Sequence, residues 1–85
     1  MRDEVFVYAL STCPWCRKAR QWFTDAQIPF EFVEVDRLQG EEQDAAAEKA
    51  HQLSGGRRYP VVVINGEVVT GYNPDRYLEL LKSVG

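Results

Sequence analysis

The chain has 85 residues, of which 45% are hydrophobic and 27% charged, and its formal net charge at pH 7 is −3. This length and composition are typical of one packed globular domain covering residues 1–85. The acidic balance argues against a nucleic-acid-binding surface, which needs a basic patch. The N-terminal residues are acidic and the apolar run after them is short. We therefore expect no signal peptide, no membrane-spanning segment and a cytoplasmic location.

A first strand and a first helix are predicted around the two cysteines of the chain. Residues 5–10 form a nearly continuous apolar run, rich in β-branched and aromatic side chains, which predicts a strand buried on both faces at the centre of a sheet. A helix is predicted to begin near Cys13, with Pro14 at its first position, where the missing N–H costs nothing. Apolar residues recur at helical spacing along this helix and predict a buried stripe. They are Trp15, Ala19, Trp22, Phe23 and Ala26.

A second strand and a second helix are predicted next. Residues 30–36 alternate imperfectly between apolar and polar side chains, which predicts a half-exposed strand near a sheet edge. The right-handed crossover of a βαβ unit makes this strand parallel to the first. Residues 41–53 predict a helix with acidic residues in its first turn, where the helix dipole favours them. Gly55 and Gly56 are expected to end it.

The last third of the chain predicts a hairpin and a helix. Residues 61–64 and 67–70 are apolar runs joined by Asn-Gly, the strongest two-residue hairpin signal. Asn73 is a good N-cap and Pro74 fits the first helical position. The apolar face of this helix is predicted to contain Tyr77, Leu78, Leu81 and Val84. The element order β-α-β-α-β-β-α predicts an α/β fold in which a four-stranded mixed sheet carries helices on both faces.

The two cysteines, separated by two residues at a strand-to-helix junction, predict a dithiol redox site. A disulfide between them closes a tiny loop, so it would be a poor structural staple. If Cys13 is the N-cap, its sulfur accepts the backbone N–H of Cys16, and the helix dipole favours the thiolate of Cys13. Cys16 lies inside the first turn, where burial is expected to keep the pKa of its thiol higher than that of Cys13.

This asymmetry assigns unequal roles to the two sulfurs. We expect Cys13 to attack a substrate disulfide and to form a mixed disulfide with it. Cys16 then attacks Cys13, which releases the reduced substrate and leaves a Cys13–Cys16 disulfide. Between them, Pro14 stiffens the first turn. Trp15 places a large amphipathic ring beside the sulfurs, where it either packs or also contacts substrates.

These features resemble the glutaredoxin family of the thioredoxin fold, and the resemblance covers essentially the whole chain. It rests on the residues Ser11-Thr12-Cys13-Pro14-Trp15-Cys16, Tyr59-Pro60 and Thr70-Gly71-Tyr72. The resemblance implies a monomeric thiol–disulfide oxidoreductase that reduces disulfide-containing proteins or glutathionylated substrates. Its general role would be electron transport in cell redox homeostasis.

The resemblance also implies that the Tyr59–Pro60 peptide bond is cis and faces the dithiol. The backbone N–H and C=O of Tyr59 would then pair with an extended substrate in β fashion. Further residues are candidates for contacts with a peptide or with glutathione. They are Arg57, Gly71, Tyr72 and Asp75.

Glutathione is a candidate reductant, but the chain departs from the family's glutathione-binding pattern. It has no Lys shortly before the first cysteine, and Arg58-Tyr59 stands where the family usually has Thr-Val. Residues 70–75 look more like the redoxins that reduce ribonucleotide reductase and are recharged by thioredoxin reductase. The first alternative function is therefore a dedicated electron donor to one partner, recharged by thioredoxin reductase.

The second alternative is an iron–sulfur cluster-binding glutaredoxin, in which the first cysteine and glutathione thiols hold a cluster between two subunits. One chain offers few soft ligands, namely Cys13, Cys16 and, as a third candidate, His51. His51 is expected to be a solvated residue on the surface of the second helix. Pro14 and the resolving Cys16 argue mildly against a cluster, so we expect no permanently bound metal or cofactor.

Overall fold

The computed structural model describes residues 3–56 and 59–81, which form four strands and three helices in the predicted order. The strands are β1 (Val5–Ala9), β2 (Glu31–Glu34), β3 (Val61–Ile64) and β4 (Glu67–Thr70). The helices are α1 (Pro14–Asp25), α2 (Gly40–Ser54) and α3 (Pro74–Leu80). Among these helices, none combines the length and the apolar character that a membrane span requires.

The four strands form one mixed sheet in the order β2-β1-β3-β4. Strand β1 is parallel to β2 and antiparallel to β3, and β3 is antiparallel to β4. The turn between β3 and β4 has positive φ at Asn65 (51°) and Gly66 (86°), as a type I′ hairpin requires. This thioredoxin-like arrangement confirms the predicted fold, with β1 in the interior of the sheet and β2 at its edge.

Both faces of the sheet are covered by helices. Adjacent residues of a strand point to opposite faces, and Val61 and Val62 of β3 are both fully buried. Val62 belongs to a core cluster that also contains Phe23 of α1 and Tyr77 of α3, so these two helices cover one face. Helix α2 contacts β3 and β4 and buries Ala50, which places it on the other face.

Strand β1 is buried less completely than its apolar sequence predicts. Its residues alternate between fully and partly buried, with Phe6 and Tyr8 on the partly covered side. The prediction of burial on both faces is therefore wrong in degree. The reason is that α2 packs against β3 and β4, further along the sheet.

The second strand is shorter than predicted. It ends at Glu34, and Val35–Arg37 forms a 3-10 turn instead of continuing the alternation. Val35 turns inward and is buried in the core, which ends the regular pleat. As a result, Asp36 leaves the strand and points to the end of β1, where the cysteine-containing loop begins.

The predicted apolar stripes are partly wrong at the helix ends. In α1 the buried residues are Cys16, Ala19 and Phe23, whereas Trp15 and Ala26 are exposed. Leu78 of α3 is also exposed, and Val84 lies outside the described residues. Helical periodicity identifies apolar positions, but a residue at a helix end is buried only where the neighbouring element reaches it.

Candidate active site

Helix α1 begins at the two cysteines as the sequence predicts. Cys13 is the N-cap, with extended backbone (φ −89°, ψ 114°), and Pro14 occupies the first helical position. The backbone N–H of Cys16 donates a hydrogen bond to Cys13 Sγ over 3.4 Å. The sulfur therefore occupies the position from which a Ser or Asp side chain would accept a hydrogen bond from a free backbone N–H in the first turn of a helix.

The two free thiols differ in their exposure to solvent. Cys13 is half-buried, whereas Cys16 is completely buried in the core cluster. Burial, together with the hydrogen bond to the adjacent Cys13 side chain, raises the pKa of the Cys16 thiol to about 12. The predicted asymmetry is thus confirmed for Cys16, whose thiol stays protonated at neutral pH.

Two aromatic rings stack at the start of α1, where Trp15 lies between the two cysteines in the sequence. The side chain of Trp15, 55% exposed, stacks on Tyr72 with ring centroids 6.1 Å apart and planes inclined by 29°. Lys18 Nζ lies 4.6 Å from the centroid of the Trp15 ring, a cation–π distance. Trp15 and Tyr72 come from α1 and from the segment before α3, so the stack joins two predicted site regions.

The Tyr59–Pro60 peptide bond is cis, as the family resemblance implied. Pro60 is buried, and its carbonyl oxygen accepts a 2.7 Å hydrogen bond from the backbone N–H of Gly71. The carbonyl oxygen of Gly71 in turn accepts a 2.6 Å hydrogen bond from the Tyr77 hydroxyl. Since Gly71 precedes Tyr72, the proline loop and the aromatic pair are connected through one residue.

No contact with the cysteines is described for the remaining candidate residues. Asp75 lies exposed in the first turn of α3, behind the N-cap Asn73. Arg57 falls outside the described residues. His51 lies on α2 as predicted, but it is only partly exposed, because its ring meets that of Tyr59 edge-on at 6.2 Å. It lies in the last turn of α2, beside the loop that leads to Tyr59.

No metal site is evident among the described residues, since no group of three His, Cys, Asp or Glu side chains in residues 3–56 and 59–81 is placed to hold an ion. Cys13 and Cys16 are the soft ligands available, and one of them is completely buried. A cluster held by this chain alone does not fit these residues, because iron–sulfur clusters take four ligands, usually cysteine thiolates.

A contact immediately before Cys13 was not predicted from the sequence. The backbone N–H of Ser11 donates to Asp36 Oδ1 over 2.9 Å, and the Ser11 hydroxyl donates to Asp36 Oδ2. Ser11 follows β1 and Asp36 follows β2. Because the two strands are parallel neighbours, their carboxyl ends lie side by side, so the predicted topology contained the signal for this contact.

Comparisons with known proteins agree on one family. The Glutaredoxin family model matches residues 5–69. A glutaredoxin-like 8.6 kDa protein in the rubredoxin operon of Clostridium pasteurianum is 31% identical over 67 residues, which cover 79% of this chain and 83% of that protein. The glutaredoxin-like protein NrdH of Lactococcus lactis is 26% identical over 76 residues, covering 89% of this chain and 97% of that protein.

Structural similarity gives the same result. The crystal structure of the glutaredoxin grx-1 from Archaeoglobus fulgidus superposes with a TM-score of 0.84 and is 39% identical in sequence. The match covers 89% of this chain and 83% of the archaeal one. The two proteins therefore share their fold.

Proposed function

Because the chain belongs to the glutaredoxin family, we propose that it is a thiol–disulfide oxidoreductase that reduces protein or glutathione mixed disulfides. The observation that carries this proposal is the hydrogen bond from the Cys16 N–H to Cys13 Sγ at the start of α1. A helix N-terminus stabilises a thiolate, and the thiolate is the form that attacks disulfides. The second thiol lies one turn away, within the reach that resolution requires.

In the proposed reaction the dithiol gives two electrons to the substrate. The Cys13 thiolate attacks one sulfur of the substrate disulfide, so a Cys13–substrate bond forms and the other substrate sulfur leaves as a thiolate that takes a proton from water. Cys16 then gives its proton to water and attacks Cys13 Sγ, so the Cys13–Cys16 bond forms as the bond between Cys13 and the substrate sulfur breaks. The second substrate sulfur is released and protonated, and the protein is left with a Cys13–Cys16 disulfide.

Burial of Cys16 supports this order of events. A thiol whose pKa is raised to about 12 does not compete with Cys13 for the incoming disulfide. Once the mixed disulfide forms, Cys13 is no longer a thiol and can accept attack from its neighbour. Cys16 therefore acts as the resolving thiol and Cys13 as the nucleophile.

The surrounding residues are suited to hold an extended substrate. Tyr59 precedes the buried Pro60, and we assign its backbone N–H and C=O to β-type pairing with the substrate chain. Trp15 and Tyr72 stack on each other, and we assign this aromatic pair to contacts with the substrate. A carboxylate at Asp75 would suit an amine of the substrate.

The reductant that returns the disulfide to the dithiol is either glutathione or a thioredoxin reductase. The similarity to the Lactococcus protein named NrdH, over nearly its whole length, favours the second arrangement, a dedicated electron donor to one protein partner. The oxidised protein should be offered glutathione and, separately, thioredoxin reductase with NADPH. Formation of free thiols in one reaction and not in the other identifies the reductant.

The Cys13→Ser variant tests the proposed function directly. Reduction of a glutathionylated peptide and of a protein disulfide should fall to the background rate, because the remaining Cys16 thiol is buried and protonated. Retention of disulfide-reducing activity in this variant would overturn the mechanism. Circular dichroism of the variant shows whether the fold is intact when activity is lost.

A further inference from the structure

Asp36 binds Ser11 with both of its carboxylate oxygens. Oδ1 accepts the Ser11 backbone N–H over 2.9 Å, and Oδ2 accepts the Ser11 hydroxyl. These hydrogen bonds lower the pKa of the Asp36 carboxyl, because they favour its ionised form although the side chain is exposed. A two-point contact fixes orientation as well as position, since neither residue can rotate without losing a bond.

A third contact holds the same serine from the helix side. Arg17 Nη2 donates to the Ser11 carbonyl oxygen over 3.3 Å, and the backbone N–H of Arg17 donates to the carbonyl oxygen of Cys13 over 3.3 Å. Ser11 is thus bound to the 3-10 turn after β2 and to the second turn of α1. One exposed residue, Thr12, separates it from Cys13.

The backbone at Cys13 has to be extended for its sulfur to reach the Cys16 N–H. The segment before a helix is free to take other conformations unless tertiary contacts restrict it. We propose that Asp36 is a positioning residue, which acts through Ser11 to hold Cys13 at the N-cap of α1. This inference rests on the proposed role of Cys13 as the nucleophile.

Charge and position make opposite contributions at this site, so they can be separated. A nearby negative charge disfavours the Cys13 thiolate, and removing it would make Cys13 more reactive. Loss of positioning would make Cys13 less reactive, because its sulfur would leave the helix amides. The Asp36→Asn variant removes the charge and keeps an oxygen for the Ser11 N–H and an NH₂ for the Ser11 hydroxyl. The Asp36→Ala variant removes both.

The test measures the rate of alkylation of Cys13 by iodoacetamide across the pH range, in a Cys16→Ser background that leaves one thiol. With Asp36→Ala we expect alkylation at pH 7 to be about threefold to tenfold slower, and the midpoint of the pH profile to move upward. Ser11→Ala, which keeps the charge, should slow alkylation at pH 7 by about twofold to threefold. The midpoint of its pH profile should also move upward. Asp36→Asn should stay within about twofold of the parent protein.

Asp25→Ala is the matched control, since it removes an exposed carboxylate at the other end of α1, where Asp25 accepts a hydrogen bond from Gln21. It should leave the profile unchanged. The proposal is overturned if Asp36→Ala and Asp36→Asn both accelerate alkylation, which would show a charge effect. It is also overturned if folded Asp36→Ala and Ser11→Ala keep the parent profile, which would leave Asp36 a purely structural role.

Circular dichroism identifies a variant that does not fold, and Ser11→Ala then carries the test. Alkylation requires no disulfide substrate and no turnover. A negative result here is therefore distinct from failure of the oxidoreductase function, which Cys13→Ser tests.

Discussion

The backbone N–H of Cys16 donates a hydrogen bond to the sulfur of Cys13 over 3.4 Å. In the proposed mechanism, the resolving residue supports the attacking one through its main chain, and its own side chain would act in the later step. Every residue type except proline supplies this N–H. The two contributions of position 16 can therefore be separated by substitution.

Cys16→Ser should leave the first step intact and block the second. The amide that faces Cys13 Sγ is retained, so the rate of Cys13 alkylation should stay within about twofold of that of the wild-type protein. With a protein disulfide, the mixed disulfide should accumulate and be visible by mass spectrometry under non-reducing conditions. A variant that still turns over protein disulfides at the wild-type rate would contradict the assignment of Cys16.

Trp15→Ala should weaken the binding of extended substrates and leave the thiol chemistry unchanged. Removal of the exposed Trp15 ring should decrease kcat/KM for a peptide disulfide by about twofold to tenfold. The control is Phe32→Ala, another exposed aromatic residue, on strand β2. An equal decrease in the alkylation rate of Cys13 would mean that Trp15 acts on the thiol and not on the substrate.

Reduced protein should lose stability at alkaline pH. Burial raises the pKa of Cys16 from 9.0 and that of Tyr77 from 10.0, each to about 12. Both values are higher in the folded state, so the contribution to stability is complete below pH 9 and is lost as pH rises towards 12. The free energy of unfolding should decrease by an amount on the order of 5 kcal/mol over that interval, as measured by urea denaturation.

The oxidised protein is the control for this pH dependence. A Cys13–Cys16 disulfide carries no titrating thiol, so the decrease should begin near pH 10 and be smaller, because only buried tyrosines still contribute. Burial raises the pKa of Tyr77 and also that of Tyr8. Identical pH profiles for the two oxidation states would exclude Cys16 as a source of the alkaline loss.

Asn65→Ala should destabilise the fold more than Asn65→Gly. The Asn65 side chain accepts the Glu4 backbone N–H over 2.9 Å and donates to the Leu80 carbonyl oxygen over 3.1 Å. Alanine loses these hydrogen bonds and keeps a Cβ at positive φ, so the free energy of unfolding should decrease by about 2–3 kcal/mol. Glycine loses the same hydrogen bonds but adopts positive φ without strain, so its decrease should be smaller by about 1 kcal/mol.

Urea denaturation measures both Asn65 variants against Gln52→Ala. Gln52 donates a hydrogen bond to Glu48 on the exposed surface of α2, so its loss should cost less than about 0.5 kcal/mol. Equal stability of the alanine and glycine variants would show that backbone conformation contributes nothing at this turn.

Local signals predict much of this fold. The proline after Cys13, the Asn-Gly hairpin and the alternation of the second strand each depend on residues that are neighbours in sequence. The parallel pairing of β1 and β2 follows from the handedness of the crossover. The cis bond before Pro60 was different, because local sequence gives cis a low prior and only the family resemblance implied it.

Features that depend on how elements pack were not predicted. Trp15 continues the apolar periodicity of α1, yet its ring lies outside the core, where it stacks on Tyr72 from a distant segment. Asp36 meets Ser11 across 25 residues of sequence, after a 3-10 turn that the alternating pattern does not indicate. Residue spacing alone does not identify such contacts, although the predicted parallel pairing of β1 and β2 already places the ends of the two strands side by side.

Two helices of this protein begin in the same way. Cys13 caps α1 and Asn73 caps α3, each followed by proline and each accepting the N–H of the third helical residue. The amide oxygen of Asn73 keeps that partner throughout, whereas the proposed cycle joins the Cys13 sulfur first to a substrate and then to Cys16. Hydrogen exchange at the Cys16 amide should therefore report the oxidation state of the protein, with the Arg76 amide as an internal reference that does not respond.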